Sequence, residues 1–285
     1  MIQSTRRDGS SDIVIVGAGI GGLSAGALLA RYGYKVTVVE SHTRVGGAAH
    51  GFERKTPVGR FHFDSGPSLF SGCSAPSLNP LRQVLDAVGE APEWATYEEW
   101  RMYTDLGIMK VRSGDAKGFG LELERLQPGS MRDWESLQAA NANLASLIGA
   151  VPPIALRPGP SGLLTAGPYL SRLEPQSMLS FGFEYAVAGV DPSGPFSRVL
   201  RKAGVPDTSL CYKWFDFLAF ALSGLPVDQT SAASVSFMIR EFFAPGAVMD
   251  QPIGGSQAIA DALARSITKR GGEVLVKAHV DALII

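Results

Sequence analysis

Gly17, Gly19 and Gly22 form a G-x-G-x-x-G pattern. It lies between the apolar run Ile13-Val14-Ile15-Val16 and an Ala- and Leu-rich stretch from Leu23 to Tyr32. In such a pattern the first glycine permits a tight turn. The second lets the backbone approach a pyrophosphate, and the third lets helix and strand pack closely. Amide groups at the helix start, at Ile20, Gly21 and Gly22, would then face the anion. Lys35 to Glu40 reads as a second strand, and Glu40 closes it 18 residues after Gly22. A carboxylate there accepts hydrogen bonds from ribose hydroxyls and repels a 2′-phosphate. The spacing implies an adenine dinucleotide site; a glycine turn used only for packing is the competing reading.

The elements that would position these residues follow from local patterns. Strand, glycine turn, helix and strand predict a right-handed β-α-β crossover, with Gly33 stopping the helix. Ser41 to Gly72 reads as loop with one strand at Phe61–Asp64. Asn79-Pro80 opens a helix that runs to Val88 and stops at Gly89. Glu99 to Leu123 reads as short strands. Ser130 starts a helix with apolar Trp134, Leu137, Ala140, Leu144 and Leu147 at helical spacing. Pro152 to Pro168 is the hinge candidate, and residues 170–243 read as mostly helical, with segments at 195–204, 207–223 and 230–243. Then Gln257 to Lys269 reads as a helix, Glu273 to Val276 as a strand, and Ala278 to Ile285 as the start of another.

Composition narrows the function class. Glycine makes up 33 of 285 residues, well above usual. A net charge of −1 gives no global electrostatic reason to expect a nucleic acid. The two cysteines, Cys73 and Cys211, are too few for a disulfide framework or a structural zinc site. His42, His50, His62 and His279 lack metal-ligand spacing, so no metal site is expected. Cys73 reads as a small buried thiol. The longest apolar stretch, Trp214–Leu225, is too short to span a membrane and reads as a buried helix.

Further residues carry a resemblance. Arg44, Gly46 and Gly47 resemble the second glycine motif of the flavin amine oxidase and phytoene desaturase superfamily, and Asp64-Ser65-Gly66 resembles its next feature. Gly51-Phe52-Glu53-Arg54, Phe63 to Phe70 and Pro252-Ile253-Gly254-Gly255 are similar to the carotenoid isomerase branch. Ala48 departs from the arginine that amine oxidases often carry after the glycine pair. The resemblance implies FAD, held by Gly17, Gly19, Ile20, Gly21, Gly22, Glu40, Arg44, Gly46, Gly47, Asp64 and Gly66. It implies an α/β fold: a Rossmann-like FAD/NAD(P)-binding domain with an inserted α+β substrate domain. The expected parts are 12–95 for the βαβ unit and flavin loop, 96–248 for the insertion and 249–285 for the return. The likeness covers only the N-terminal portion of the family, so the chain reads as truncated at its C-terminus.

The function implied is an FAD-dependent oxidoreductase acting on a polyene or other apolar isoprenoid, by cis–trans isomerisation with reduced flavin. Desaturation and saturation remain open beside it. A polyene offers no acidic handle, so the cofactor carries the chemistry, and no catalytic side chain is named. Implied partners are the apolar substrate, an electron-transfer partner and peripherally a membrane; the implied compartment is a plastid. Two competing readings are a flavin-independent, prenyl-protein-binding protein resembling Rab GDP-dissociation inhibitors, and an inactive truncated product.

Overall fold

The computed structural model describes residues 10–77, 79–150, 191 and 193–284. The hinge candidate at 152–168 and the helical expectation for 170–190 lie outside these. The chain divides into two compact units, one made of residues 1–97 and 249–285, the other of Glu98–Val248.

The first unit is built on a parallel sheet. β1 (Ile13–Val16) feeds α1 (Ile20–Arg31), which returns as β2 (Val36–Val39). The two strands pair in register from Ile13 with Val36 to Val16 with Val39. After the second unit the chain adds α8 (Gln257–Lys269) and β10 (Glu273–Leu275), which pairs with β2, so the order is β1-β2-β10. Consecutive crossovers place α1 and α8 together over this sheet. Leu23, Ala27, Val38, Ile259, Leu263 and Ile267 are buried there. Gly26 allows the close approach: a Cβ at this position would stand 3.0 Å from Ile267 Cδ1 and 3.1 Å from Val38 Cγ2.

A hairpin of β3 (Gly51–Thr56) and β4 (Gly59–Asp64) follows β2. The single strand expected here has a partner, because Glu53, Arg54 and Lys55 pair with His62, Phe61 and Arg60. A ribbon exposed on both faces need not alternate apolar with polar residues. α2 (Pro80–Val88) starts where Asn79 Oδ1 accepts from Leu81 N at 2.9 Å and ends at Gly89, φ 67°. A small antiparallel sheet joins β5 (Phe70–Ser71), β9 (Met249–Pro252) and β6 (Trp94–Tyr97), with β9 in the middle. Residues 278–284 form no strand, contrary to the sequence pattern. A strand needs a neighbour to pair with; Ala278 N donates to Glu40 O at 2.9 Å, and beyond it no backbone pairing is found among the described residues.

The second unit opens with the hairpin β7 (Glu99–Thr104) and β8 (Gly107–Arg112). The strand pattern stops there, and α3 (Ala116–Leu126) follows. Asp115 switches the chain to helix by accepting from Gly118 N at 2.7 Å. α4 (Ser130–Ala150), α5 (Ser197–Lys202), α6 (Leu210–Ser223) and α7 (Ala232–Phe242) complete the described part. Its core is aromatic: the Phe119 ring lies 5.1 Å from Trp134 and 5.8 Å from Trp214, and Trp134 stacks on Phe215 at 5.7 Å. α6 buries Trp214, Phe215 and Leu218 and leaves Phe217 and Phe220 exposed.

Candidate dinucleotide-binding site

The first glycine turn follows from packing. Gly17 has φ 99°, which opens the turn after β1. A Cβ at Gly22 would lie 2.1 Å from the Gly17 carbonyl oxygen, so only glycine lets α1 start this close to the strand. At Gly19 and Gly21 a Cβ would meet nothing within 4 Å. No side chain caps α1 at Gly19, and no acidic residue occupies its first turn. The first amides of a helix lack internal partners. Ile20, Gly21 and Gly22 therefore present donors, and the positive end of the helix dipole, toward open space.

Glu40 lies beside this turn. Its Oε2 accepts from Ala18 N at 2.8 Å and its Oε1 from His42 N at 2.7 Å. Those backbone donors, His42 first, hold its carboxyl below the usual carboxylate range, against the opposing cost of burial. Ser41 Oγ also donates to Oε1 at 3.4 Å, so of the about four lone-pair positions of an ionised carboxylate Glu40 keeps room for one further hydroxyl.

The second glycine loop docks on the first. Gly46 N donates to Ala18 O at 2.7 Å, and Gly19 and Gly46 form an isolated parallel bridge. A Cβ at Gly47 would stand 3.0 Å from Gly19 Cα, and Gly46 and Gly47 have φ of 120° and 58°. Ala18 is thus the meeting point: its N–H holds Glu40 and its carbonyl holds Gly46. The Arg44 guanidinium donates through Nη1 to Gly51 O at 2.8 Å.

The third segment packs differently from the glycine loops. Gly66 is required by the chain path, since a Cβ there would lie 2.4 Å from Ala48 O. Asp64 turns its carboxylate onto the start of α8, where Oδ1 accepts from Ser256 N at 2.8 Å and Ser256 Oγ at 2.9 Å. A Cβ at Gly255 would meet that same oxygen at 2.4 Å. His50 joins the segments: Nδ1 lies 2.8 Å from Gly47 O and Nε2 lies 3.0 Å from Ser65 Oγ. A carbonyl only accepts, so Nδ1 donates to Gly47 O.

Three residues of the returning segment escape the sequence motifs. Ser256 holds Asp64. Gln257 bonds both ends of the second glycine loop, at Gly51 N and Val45 O. Asp250 is fully buried on β9, and its Oδ2 accepts from Cys73 N at 2.5 Å and Ser74 N at 3.2 Å. Burial, with the Asp250 carboxylate nearby, pushes the Cys73 thiol up to about 12, which disfavours its thiolate form. The only signal for these residues was their place beside Pro252-Ile253-Gly254-Gly255.

Comparisons with known proteins agree with this geometry. Residues 15–88 match the NAD(P)-binding Rossmann-like domain. Over its whole length the chain is 25% identical to the chloroplastic prolycopene isomerase of Arabidopsis thaliana, and it covers 45% of that protein. Along nearly all of its length the chain is similar to prolycopene isomerases and phytoene desaturases. The neurosporene-forming phytoene desaturase of Rhodobacter capsulatus is 24% identical over 99% of the chain, which covers 49% of that protein. The chain therefore spans about half the length of these curated relatives. An oxidoreductase structure from Methanosarcina mazei matches with a TM-score of 0.58 at 18% identity, covering 96% of this chain and 53% of that one. That likeness establishes a Rossmann-like α/β fold with an insertion between strands of the first unit.

Proposed function

We propose that this chain forms the dinucleotide-binding part of an FAD-dependent oxidoreductase acting on a polyene or other apolar isoprenoid, by cis–trans isomerisation with reduced flavin. The observation that carries the reading is the convergence at Ala18. The uncapped start of α1, the ionised Glu40 and the Gly46-Gly47 loop meet there around open space. That set fits FAD. The amides of Ile20 to Gly22 would hold the pyrophosphate, Glu40 the adenosine ribose, and Arg44 and the second glycine loop the stretch toward the flavin.

The chemistry that FAD would supply here, held by the amides of Ile20 to Gly22, Glu40, Arg44 and the second glycine loop, is reversible electron donation to a polyene. The protein's own residues bind and orient. Glu40 disfavours a 2′-phosphate. Arg44 has four N–H donors beyond the one spent on Gly51, since guanidinium carries five. Kinship with the prolycopene isomerases supports isomerisation, and kinship with phytoene desaturases keeps hydride removal as the nearest alternative.

The chloroplast location of the Arabidopsis relative supports a plastid compartment for this chain. No helix among the described residues is long and apolar enough to cross a membrane. The exposed Phe217, Phe220 and Leu225 support a peripheral membrane contact through which an apolar substrate would arrive.

The test is the visible absorption spectrum of the purified chain, with any released cofactor identified by chromatography. A flavin band that releases FAD is expected, or its appearance on titration with FAD. A colourless, folded protein whose spectrum FAD does not change would overturn the reading. Tight capture of prenylated protein by that colourless form would favour the binding-protein alternative.

A further inference from the structure

We propose that Gln257 is a positioning residue for this site, stapling both ends of the second glycine loop. The inference rests on the reading that the loop contacts FAD.

The loop from Gly46 to His50 is a tight excursion with a single 3-10 turn at Gly47–Ala49. Its flanks are Val45 and Gly51. Gln257, more than 200 residues later in the chain, reaches both. Its Oε1 accepts from Gly51 N at 3.0 Å, and its Nε2 donates to Val45 O at 3.2 Å. The same Nε2 donates to Asp261 Oδ1 at 2.9 Å, one turn along α8. That third bond fixes the orientation of the amide. Val45 O and a carboxylate only accept and Gly51 N only donates, so one placement of oxygen and nitrogen satisfies all three.

The staple extends to Arg44. Gly51 is held at its N–H by Gln257 and at its carbonyl by the Arg44 guanidinium, at 2.8 Å. Gln257, Gly51, Arg44 and Val45 therefore close a ring of contacts around the base of the loop. At the loop's tip Gly46 N bonds Ala18 O, and Gly47 lies against Gly19. Moving Gly51 or Val45 would shift both Arg44 and the glycine pair relative to the α1 N-terminus. Gln257 touches none of the groups assigned to the pyrophosphate or ribose; it acts through the loop. A side chain that is donor and acceptor at one end is required, which an aliphatic residue or a carboxylate cannot supply.

The variants are Gln257→Leu, which removes both loop bonds at similar size, and Gln257→Glu, which keeps an acceptor for Gly51 N, loses the donor to Val45 O and to Asp261, and sets two carboxylates one turn apart. Two readouts are taken on the full chain. One is amide hydrogen exchange without cofactor, resolved at Gly46 and Gly51. The other is FAD affinity by flavin fluorescence, with the visible circular dichroism of bound FAD. For Gln257→Leu, exchange at both amides should quicken about tenfold, as expected for losing one net hydrogen bond. FAD should weaken about tenfold, and the flavin dichroism should change. For Gln257→Glu, Gly51 should stay slow while Gly46 quickens and FAD still weakens.

The proposal falls if Gln257→Leu leaves loop exchange and FAD affinity within twofold of the parent. It also falls if exchange quickens equally throughout the first unit, which would mark a structural role alone. Should Gln257→Leu not fold, the split between Gly51 and Gly46 in Gln257→Glu decides by the same readouts. A parent chain that binds no FAD, with loop exchange still quickened in Gln257→Leu, leaves the staple standing and removes the cofactor reading.

Discussion

Gly19 and Gly22 are the same residue type for different reasons, and a single methyl group separates them. At Gly22 a Cβ would collide with the Gly17 carbonyl at 2.1 Å. Gly22→Ala should therefore cost about 3 kcal/mol or more as β1 and α1 are forced apart. At Gly19 a Cβ meets nothing within 4 Å, and its φ of −70° suits alanine. Gly19→Ala should leave thermal stability nearly unchanged yet weaken FAD more than about tenfold, because the methyl would fill the space that the proposed function gives to phosphate. Equal losses of stability in the two variants would contradict this division. Glu40 gives a pH test. Its folded pKa is lowered by backbone donors, so its stabilising contribution is complete above its unfolded pKa and fades as pH drops through the folded one. The parent should be more stable than Glu40→Gln near neutrality, with the gap closing below about pH 4.3. Melting curves from pH 7 to 3 read it directly; a constant gap would refute it. The glycine turn was readable in the sequence because special backbone angles leave few residue choices. Gln257 and Asp250 were not, because each acquires its role from a partner about 180 to 210 residues away.

At the scale of elements, local chemistry was readable wherever a cap or stop codes for it. α2 begins at Asn79-Pro80 and ends at Gly89 because an acceptor side chain, a fixed φ and a left-handed residue stand in those places. Elements that depend on a distant neighbour were harder to read. β3 is recognised by its pairing with β4 and not by its own residues, and the apolar end at Leu283-Ile284 makes no strand without a partner. α3 was hidden because Leu121, Leu123 and the intervening Glu122 imitate strand alternation, while only the Asp115 cap announces a helix. Asn79 also ties α2 to the small sheet, since its Nδ2 donates to Ser71 O at 2.8 Å. Asn79→Ala should cost about 1–2 kcal/mol, the range for losing a cap. Asn79→Asp keeps the acceptor for Leu81 N and loses only the bond to Ser71, so about half of the cost should return. Chemical denaturation of the three proteins checks the order, and an aspartate variant no better than alanine would show that the cap contributes little.

At the scale of the molecule, the proposed dinucleotide site draws on β1–α1, β2, the second glycine loop and the start of α8, segments far apart in the chain. Binding to such a site stabilises the folded state in proportion to occupancy. A ligand at about 100 times its dissociation constant adds about 2.7 kcal/mol. With an unfolding entropy of about 2.1 cal/mol/K per residue, a chain of this length should gain about 4–5 °C. The choice of ligand then reads the site. FAD should give the full shift. FMN lacks the adenosine and the second phosphate, and so leaves Glu40 and half of the pyrophosphate cradle unused; it should give little at the same concentration. NADP⁺ should give less than NAD⁺, because its 2′-phosphate meets the ionised Glu40 carboxylate, which Ala18 N and His42 N hold in place. Glu40→Gln should narrow the difference between the two nicotinamide dinucleotides without restoring FMN. Equal shifts for FAD and FMN would mean that the glycine turn serves packing and that the adenosine end of the site is not used.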